Sequence, residues 1–162
     1  MSVKKVLVPI DFSDITNVVV DTAALIAFEG KMDMTLLHIQ NNKTTDEVED
    51  IAENLIEETR LKWPVQINFV MKKGNIFEDI SSIAYDDQYK IMVIGSHGFK
   101  GLREKVFGAD ILKLLKNMPI PVVTVQKDYK LPDEAFKSIL FPVGSHKTFI
   151  NQIKATIDFA SI

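Results

Sequence analysis

The chain lacks cysteine altogether, which excludes disulfide bridges, thiol catalysis and cysteine-ligated metal. It also has no excess of basic residues, and its net charge of −3 gives no electrostatic basis for binding nucleic acid. Long hydrophobic runs are missing. The apolar N-terminal run is interrupted at Pro9 and Asp11, so it is too short for a signal peptide or a membrane span. Together these absences predict a cytoplasmic protein that contacts neither membrane nor nucleic acid.

What the chain does contain is an alternation of short β-branched runs and amphipathic stretches. Its 162 residues, 46% hydrophobic and 25% charged, are enough for one domain of ordinary size with a core. The first, fourth and fifth runs are almost continuously apolar, as expected of strands covered on both faces, whereas the third alternates and predicts an edge strand. The five predicted strands are 6–10, 34–39, 65–70, 90–94 and 121–125.

Helical spacing of apolar residues connects these strands. The first helix is predicted from Ile15 to Gly30, and the fourth from about residue 102 until just before Pro119. Thr45 is predicted to cap the second helix and Asn75 the third. In the second helix the predicted buried stripe comprises Val48, Ile51, Ala52 and Leu55.

This order predicts an α/β fold, a doubly wound, mostly parallel five-stranded sheet with helices on both faces. Ligands of such sheets bind beyond the carboxyl ends of the strands, where the winding direction reverses. The candidate binding positions are therefore those that follow the strands: Asp11, Ile39 with Gln40, 72–75 and 95–101.

After residue 126 the composition changes, and the beginning of the chain is repeated. Residues 127–136 are rich in charge and contain Pro132, which predicts a linker. Residues 137–161 align with residues 4–28 at an offset of 133, and the alignment matches Pro142 with Pro9. We therefore expect a domain over 1–126, a linker over 127–136, and the first βα unit of an incomplete second repeat over 137–162. Because that unit has no sheet of its own, it is expected to add to an existing one.

Four of the seven glycines lie between Val93 and Asp110, at a predicted strand-to-helix turn. Glycine there either lets a phosphate approach backbone amides or supplies a positive φ that the turn needs. Asp11 likewise either contacts a ligand or caps the first helix. His38 in its strand is expected to be a hydrogen-bonded core residue. The three histidines lack the spacing of metal ligands or of a catalytic triad, so no metal site and no catalytic residue is predicted.

Three separate motifs together resemble the universal stress protein family. They are Val8 to Ser13, Leu37-His38-Ile39, and the long-spaced pattern Gly-x2-Gly-x9-Gly that begins at Gly95. The resemblance covers residues 3–126, including the final Pro-Ile-Pro-Val-Val-Thr-Val run. It implies a Rossmann-like fold of the adenine nucleotide alpha hydrolase type, a role in stress response, and a dimer or pseudo-dimer built through residues 121–126.

The resemblance also implies a site for ATP or AMP, with Mg²⁺ present only with ATP. Asp11 is expected near the ribose and phosphates, Ile39 near the base, and the glycines along the phosphates. The chain departs from the family motif after the third glycine, where a serine or threonine hydroxyl is replaced by Ala109 and an apolar residue by Asp110. The expected nucleotide-binding set is Pro9, Ile10, Asp11, Ile39, Gly95, Gly98, Gly108, Ala109 and Asp110.

These departures predict weak binding and leave two functions open. One is a stress-response protein that binds adenine nucleotide weakly at the ends of the first, second and fourth strands, without turning it over. The other is a dimerisation or interaction module whose nucleotide site is degenerate. An adenylyl-transferring enzyme on the same scaffold is disfavoured, because the chain has neither a His-x-Gly-His motif after the first strand nor a Gly-x4-Gly-Lys-Ser/Thr loop.

Overall fold

A computed structural model describes residues 3–40, 47–96, 114–116, 118–131, 136–141 and 149–161. The chain divides into two compact units, Met1–Leu131 and Pro132–Ile162. The first unit carries all of the described strands and the candidate site, and the second carries one described helix. Each unit is therefore considered by itself.

The first unit is built on a five-stranded sheet in which all neighbouring strands pair in parallel. The strands are β1 (Lys5–Pro9), β2 (Asp33–Gln40), β3 (Ile67–Lys73), β4 (Tyr89–Gly95) and β5 (Val122–Val125). Their spatial order is β3-β2-β1-β4-β5, so the chain winds outward from β1 in one direction and then crosses back to β4. The predicted doubly wound parallel fold is confirmed.

Burial along the strands explains which of them lie at the centre. Residues 6–9 of β1 and 91–94 of β4 are buried without interruption, which requires cover on both faces of the sheet. β3 is exposed over its last four residues, and it forms one edge of the sheet, as its alternating sequence predicts. β5 forms the other edge, as expected of residues 121–126.

Three described helices follow strands of this sheet: α1 (Thr16–Glu29), α2 (Val48–Lys62) and α3 (Ile76–Ala84). α1 ends as predicted at Gly30, whose N–H donates to the carbonyl of Ile26 over 2.9 Å. α3 packs on one face of the sheet, where Ile80 joins a buried cluster that also holds Leu7, Leu37 and Met92. Of the two residues predicted to cap helices, Thr45 lies outside the described residues, whereas Asn75 directly precedes α3.

The predicted buried stripe of α2 is wrong in part. Val48 and Ala52 are buried, but Ile51 is 46% exposed, and Ile56 and Thr59 are buried instead. Successive residues of the observed stripe are four, four and three positions apart, which keeps them on one side of the helix. Ile51 lies at the margin of that side. Thr59 is accommodated because its hydroxyl donates to the Leu55 carbonyl over 2.7 Å.

In the second unit, α4 (Phe149–Ala160) begins 133 residues after α1, at the offset of the sequence repeat. Of the segment in which a strand is predicted before it, the described residues 136–141 form no strand. A strand needs a hydrogen-bonded neighbour, and the described part of this unit offers none. Ile139 is consequently 43% and Leu140 93% exposed, whereas their repeat counterparts in β1 are fully buried. The tandem organisation itself stays a prediction.

Candidate functional site

A cleft opens where the winding direction of the sheet reverses, between the carboxyl ends of β1 and β4. The cleft is shallow and open to solvent, and the figure of about 270 Å³ for its empty space includes part of that solvent. Parallel α/β sheets bind their ligands at this position, because two neighbouring crossovers leave the sheet on opposite faces there. The described lining residues are Pro9, Ile10, Asp11, Ile15, Thr16, Val19, Ile94 and Gly95. Four members of the predicted nucleotide-binding set, Pro9, Ile10, Asp11 and Gly95, therefore meet in one cleft.

The β1–α1 loop is ordered by Asp11. Its Oδ1 accepts a hydrogen bond from the backbone N–H of Ser13 over 3.0 Å, and the Ser13 carbonyl accepts from the N–H of Thr16 over 3.0 Å. Between them, Phe12 adopts a φ of 55°, which side-chain-bearing residues rarely take. The alternative in which Asp11 caps the first helix is wrong, because α1 has no side-chain cap, and Asp11 instead orders the turn that precedes it.

His38 fastens this loop to the neighbouring strand. Its Nδ1 lies 3.0 Å from the carbonyl oxygen of Ile10, and since a carbonyl only accepts, this nitrogen carries the proton. The Phe12 ring covers the imidazole at a centroid distance of 5.1 Å and also lies 6.4 Å from the ring of Phe69. His38 is thus the hydrogen-bonded core residue that the sequence predicts.

Two buried polar atoms, one in the β1–α1 loop and one on the strand that it contacts, have no hydrogen-bond partner within the described part of the chain. They are the Oγ of Ser13 and the Nε2 of His38. Buried donors and acceptors are nearly always satisfied in folded proteins, by protein, water or ligand. Sequence reasoning did not single out the Ser13 hydroxyl, although its place two residues after Asp11 at a strand-to-helix turn is a usable signal.

Gly95 has a structural role that the sequence alternatives do not include. Its φ is not positive, so the turn does not require glycine at this position. A Cβ at Gly95 would lie 3.1 Å from Cγ2 and 3.3 Å from Cδ1 of Ile15, and 3.4 Å from Cγ2 of Val19. Glycine therefore lets α1 pack close against the end of β4 and shapes the cleft. Gly98, Gly108, Ala109 and Asp110 lie outside the described residues.

Ile39 is separated from the other predicted site residues by its packing. It is 8% exposed and belongs to the buried cluster on the α3 face of the sheet. Among the described residues it does not line the cleft. Its expected place near a nucleotide base stays a prediction.

The candidate residues 72–75 lie at the β3–α3 junction. The charged groups of this junction are paired with one another. Lys72 Nζ lies 2.7 Å from Oδ1 of Asp79, and Oδ2 of Asp79 accepts from the backbone N–H of Asn75 over 2.7 Å. These contacts, the lysine first, hold the pKa of Asp79 below its usual value of 3.8. Lys72 is therefore already paired within its own junction.

Neither a metal site nor a membrane-spanning helix is found in the described regions. No group of three or more histidine, aspartate or glutamate side chains there is arranged to hold a metal ion. None of the helices in those regions is long and apolar enough to cross a membrane.

Comparison with solved structures shows the same fold in universal stress proteins. One in complex with cAMP superposes with a TM-score of 0.65 at 16% identity, over 79% of this chain and 100% of that chain. The universal stress protein from Archaeoglobus fulgidus in complex with dAMP gives 0.58 at 20%, over 76% and 98%. A universal stress protein from Lactobacillus plantarum gives 0.56 at 17%, over 77% and 99%.

Sequence comparison identifies the family. A comparison with curated protein sequences gives no match. The model of the universal stress protein family, however, matches residues 2–126, which is most of the chain and includes every described strand. The family match agrees with the parallel fold, which is also the fold of the universal stress proteins compared above. The chain therefore belongs to the universal stress protein family.

Proposed function

We propose that this protein binds adenine nucleotide weakly at the carboxyl ends of β1, β2 and β4, and acts in stress response without catalysing a reaction. The cleft at the point of winding reversal carries this proposal, because it brings Asp11 and Gly95 together, and Ser13, two residues after Asp11, has a buried hydroxyl with no partner among the described residues. Family membership supports it, as do relatives of the same fold whose structures hold cAMP and dAMP.

The chemistry of the cleft suits a nucleoside monophosphate. Its described walls are mostly aliphatic, with Ile15, Val19 and Ile94 available to cover a base or a ribose. The Asp11 carboxylate can accept a hydrogen bond from a ribose hydroxyl, which is also the role of an acidic residue in dinucleotide-binding sheets. The Ser13 Oγ can donate to or accept from the ligand, which would satisfy a buried group.

The sequence beyond the described residues favours AMP over ATP. Ala109 lacks the hydroxyl that the family motif places beside a phosphate, and the loss of such a donor costs roughly 1 kcal/mol. Asp110 adds a negative charge that repels each further phosphate, on the order of 1 kcal/mol at contact distance near a surface. Mg²⁺ is expected only with ATP, because the triphosphate itself supplies ligands for the ion.

Titration of AMP by calorimetry tests this function, with two matched aspartate variants. Asp11→Ala removes the carboxylate that lines the cleft, and at least a roughly tenfold weaker affinity is expected from the loss of a charge-assisted hydrogen bond. Asp79→Ala removes the carboxylate of the β3–α3 junction and should leave AMP affinity unchanged. Absence of AMP binding to the parent protein, or equal weakening by both variants, contradicts the proposal.

A second function is favoured by the position of β5 as the outermost of the described strands on its side of the sheet. The N–H groups of Met92 and Ser96 donate to the carbonyls of Pro121 and Val125, so backbone groups of alternate residues face β4. The backbone of Thr124 therefore faces away from β4, along the edge. We propose that this edge pairs with the same strand of a second copy, which would make the protein a dimerisation module even if its nucleotide site is degenerate.

Sedimentation analysis of Thr124→Pro tests this dimer. Proline deletes an N–H that faces the open edge and spares those that face β4, so the variant should fold and sediment as a monomer. A parent protein that is monomeric at high concentration contradicts the dimer, as does a Thr124→Pro variant that remains dimeric.

A further inference from the structure

The carboxyl end of β5 and the residues directly after it contact two segments next to the cleft, the end of β4 and the β1–α1 loop. On one side, the Ser96 N–H, directly after Gly95, donates to the Val125 carbonyl over 2.7 Å. On the other side, two residues beyond Val125, Lys127 Nζ forms an ion pair with Oδ2 of Asp14 in the β1–α1 loop. Lys127 is thereby held beside the loop that carries Asp11, although its own strand is the outermost of the sheet.

A cation at this position meets an electrostatic need of the site. The single charged side chain among the described lining residues is Asp11, which is negative, and a phosphate beside it needs positive charge nearby. Lys72 does not supply it, because β3 lies two strands from β1 and Lys72 is paired with Asp79 in its own junction. Lys127 also follows a strand two places from β1, but its side chain reaches back to the β1–α1 loop.

The ion pair with Asp14 can be exchanged for a phosphate. The side chains of Lys127 and Asp14 are 50% and 66% exposed, and pairs this exposed contribute little to stability. Asp14 raises the pKa of Lys127 through their hydrogen bond, in keeping with the direct contact between the two groups. The long, flexible stem of lysine allows the ammonium group to move from a carboxylate to a neighbouring phosphate without a change in the backbone.

We infer that Lys127 is the phosphate-binding cation of this cleft and that Asp14 competes with the nucleotide for it, so that the pair determines how strongly added phosphates are bound. This inference rests on the proposed nucleotide site and deepens it. It makes opposite predictions for the two partners: loss of Lys127 weakens phosphate binding, whereas loss of the Asp14 charge releases Lys127 and strengthens it. If the pair served only to hold β5 to the β1–α1 loop, both changes would act in the same direction.

Titration of adenosine, AMP and ATP against Lys127→Gln and Asp14→Asn tests the inference. Lys127→Gln should weaken ATP binding roughly five- to tenfold, AMP less, and adenosine not at all. Asp14→Asn should strengthen ATP binding roughly two- to fivefold. The matched control is Lys62→Gln, because Lys62 pairs with Asp21 over 3.0 Å between α2 and α1, and it should change none of the three affinities.

The possible outcomes distinguish a failure of the role proposed for Lys127 from a failure of the proposed nucleotide binding. If the parent protein binds none of the three ligands, both are overturned. If it binds them but Lys127→Gln leaves the ratio of ATP to AMP affinity unchanged, or Asp14→Asn weakens ATP binding, the role of Lys127 is overturned and the nucleotide site stands.

Discussion

Two strand-to-helix junctions lie at the carboxyl end of the sheet, and they differ in how far their polar groups are satisfied by hydrogen bonds and ion pairs. At the β3–α3 junction, Asp79 is bonded to both Lys72 and the N–H of Asn75, so the charges satisfy one another. At the β1–α1 junction, Ser13 keeps a buried hydroxyl that has no partner among the described residues, and Phe12 holds an uncommon backbone conformation.

The difference separates a loop that holds the fold together from one suited to a ligand. A mutually satisfied cluster gains nothing from a further partner, whereas an unsatisfied buried group is stabilised by one. Uncommon backbone conformations are also found more often at binding sites than elsewhere. Both observations favour the β1–α1 junction as the nucleotide site, in agreement with its place beside the winding reversal.

The largest effect is expected from a change that disturbs the β1–α1 junction alone. Gly95→Ala places a methyl group within 3.1–3.4 Å of side-chain atoms of Ile15 and Val19, so these side chains must move by a few tenths of an ångström in a buried contact. Overpacking of this kind typically costs about 1–3 kcal/mol of unfolding free energy. Urea unfolding measures the loss, and AMP affinity should fall with it because the same residues line the cleft.

A double-mutant cycle attributes that loss to the contact. Ile15→Ala removes the side-chain atoms nearest the added methyl, so the two changes should cost less together than the sum of their separate effects. Strictly additive losses would show that the tight packing of α1 on Gly95 is not what makes glycine necessary there.

The next largest effect is expected on nucleotide affinity, from changes in the glycine loop, whose residues lie outside those that the structure describes. Restoring the family pattern with Ala109→Ser and Asp110→Val should strengthen ATP binding more than AMP binding, by about 1 kcal/mol or roughly fivefold. The difference should shrink as ionic strength rises, since salt screens the charge of Asp110. Titration of both nucleotides at two salt concentrations checks this. A double variant that binds ATP no better than the parent would mean that these residues do not weaken the site.

The smallest effect concerns the β3–α3 junction and its dependence on pH. Because the pKa of Asp79 is lowered in the folded protein, its contacts stabilise the fold above the unfolded value of 3.8 and are lost as pH falls through the folded pKa. Asp79→Asn should therefore lower the urea midpoint at neutral pH, and the difference from the parent should vanish in strong acid. A difference that does not shrink as the pH falls below 3.8 contradicts this.

The architecture was predictable because its signals are local and repeated. Continuous burial of β1 and β4, the alternation of β3 and the end of α1 at Gly30 all follow from patterns within single segments. The conformation of the segment before α4 was not predictable in this way. A strand forms only with a neighbouring strand to pair with, and the sequence of residues 137–143 does not specify such a neighbour.

The candidate site was predictable to a lesser degree. Asp11 and Gly95 follow strands whose places in the sheet could be inferred, so their meeting was foreseen. The contact of Gly95 with α1, the burial of Ile39 and the pairing of Lys127 with Asp14 depend on how distant segments pack together. Such contacts leave no periodic signal in the chain.

The most direct test asks which junction responds when AMP is added to the isotopically labelled protein. The backbone amide resonances of Asp11, Thr16 and Gly95, at the β1–α1 junction and its partner strand, should shift with increasing AMP. Those of Lys72, Asn75 and Asp79 should stay in place. Shifts confined to the β3–α3 junction, or the absence of any shift at high AMP concentration, would contradict nucleotide binding at the winding reversal.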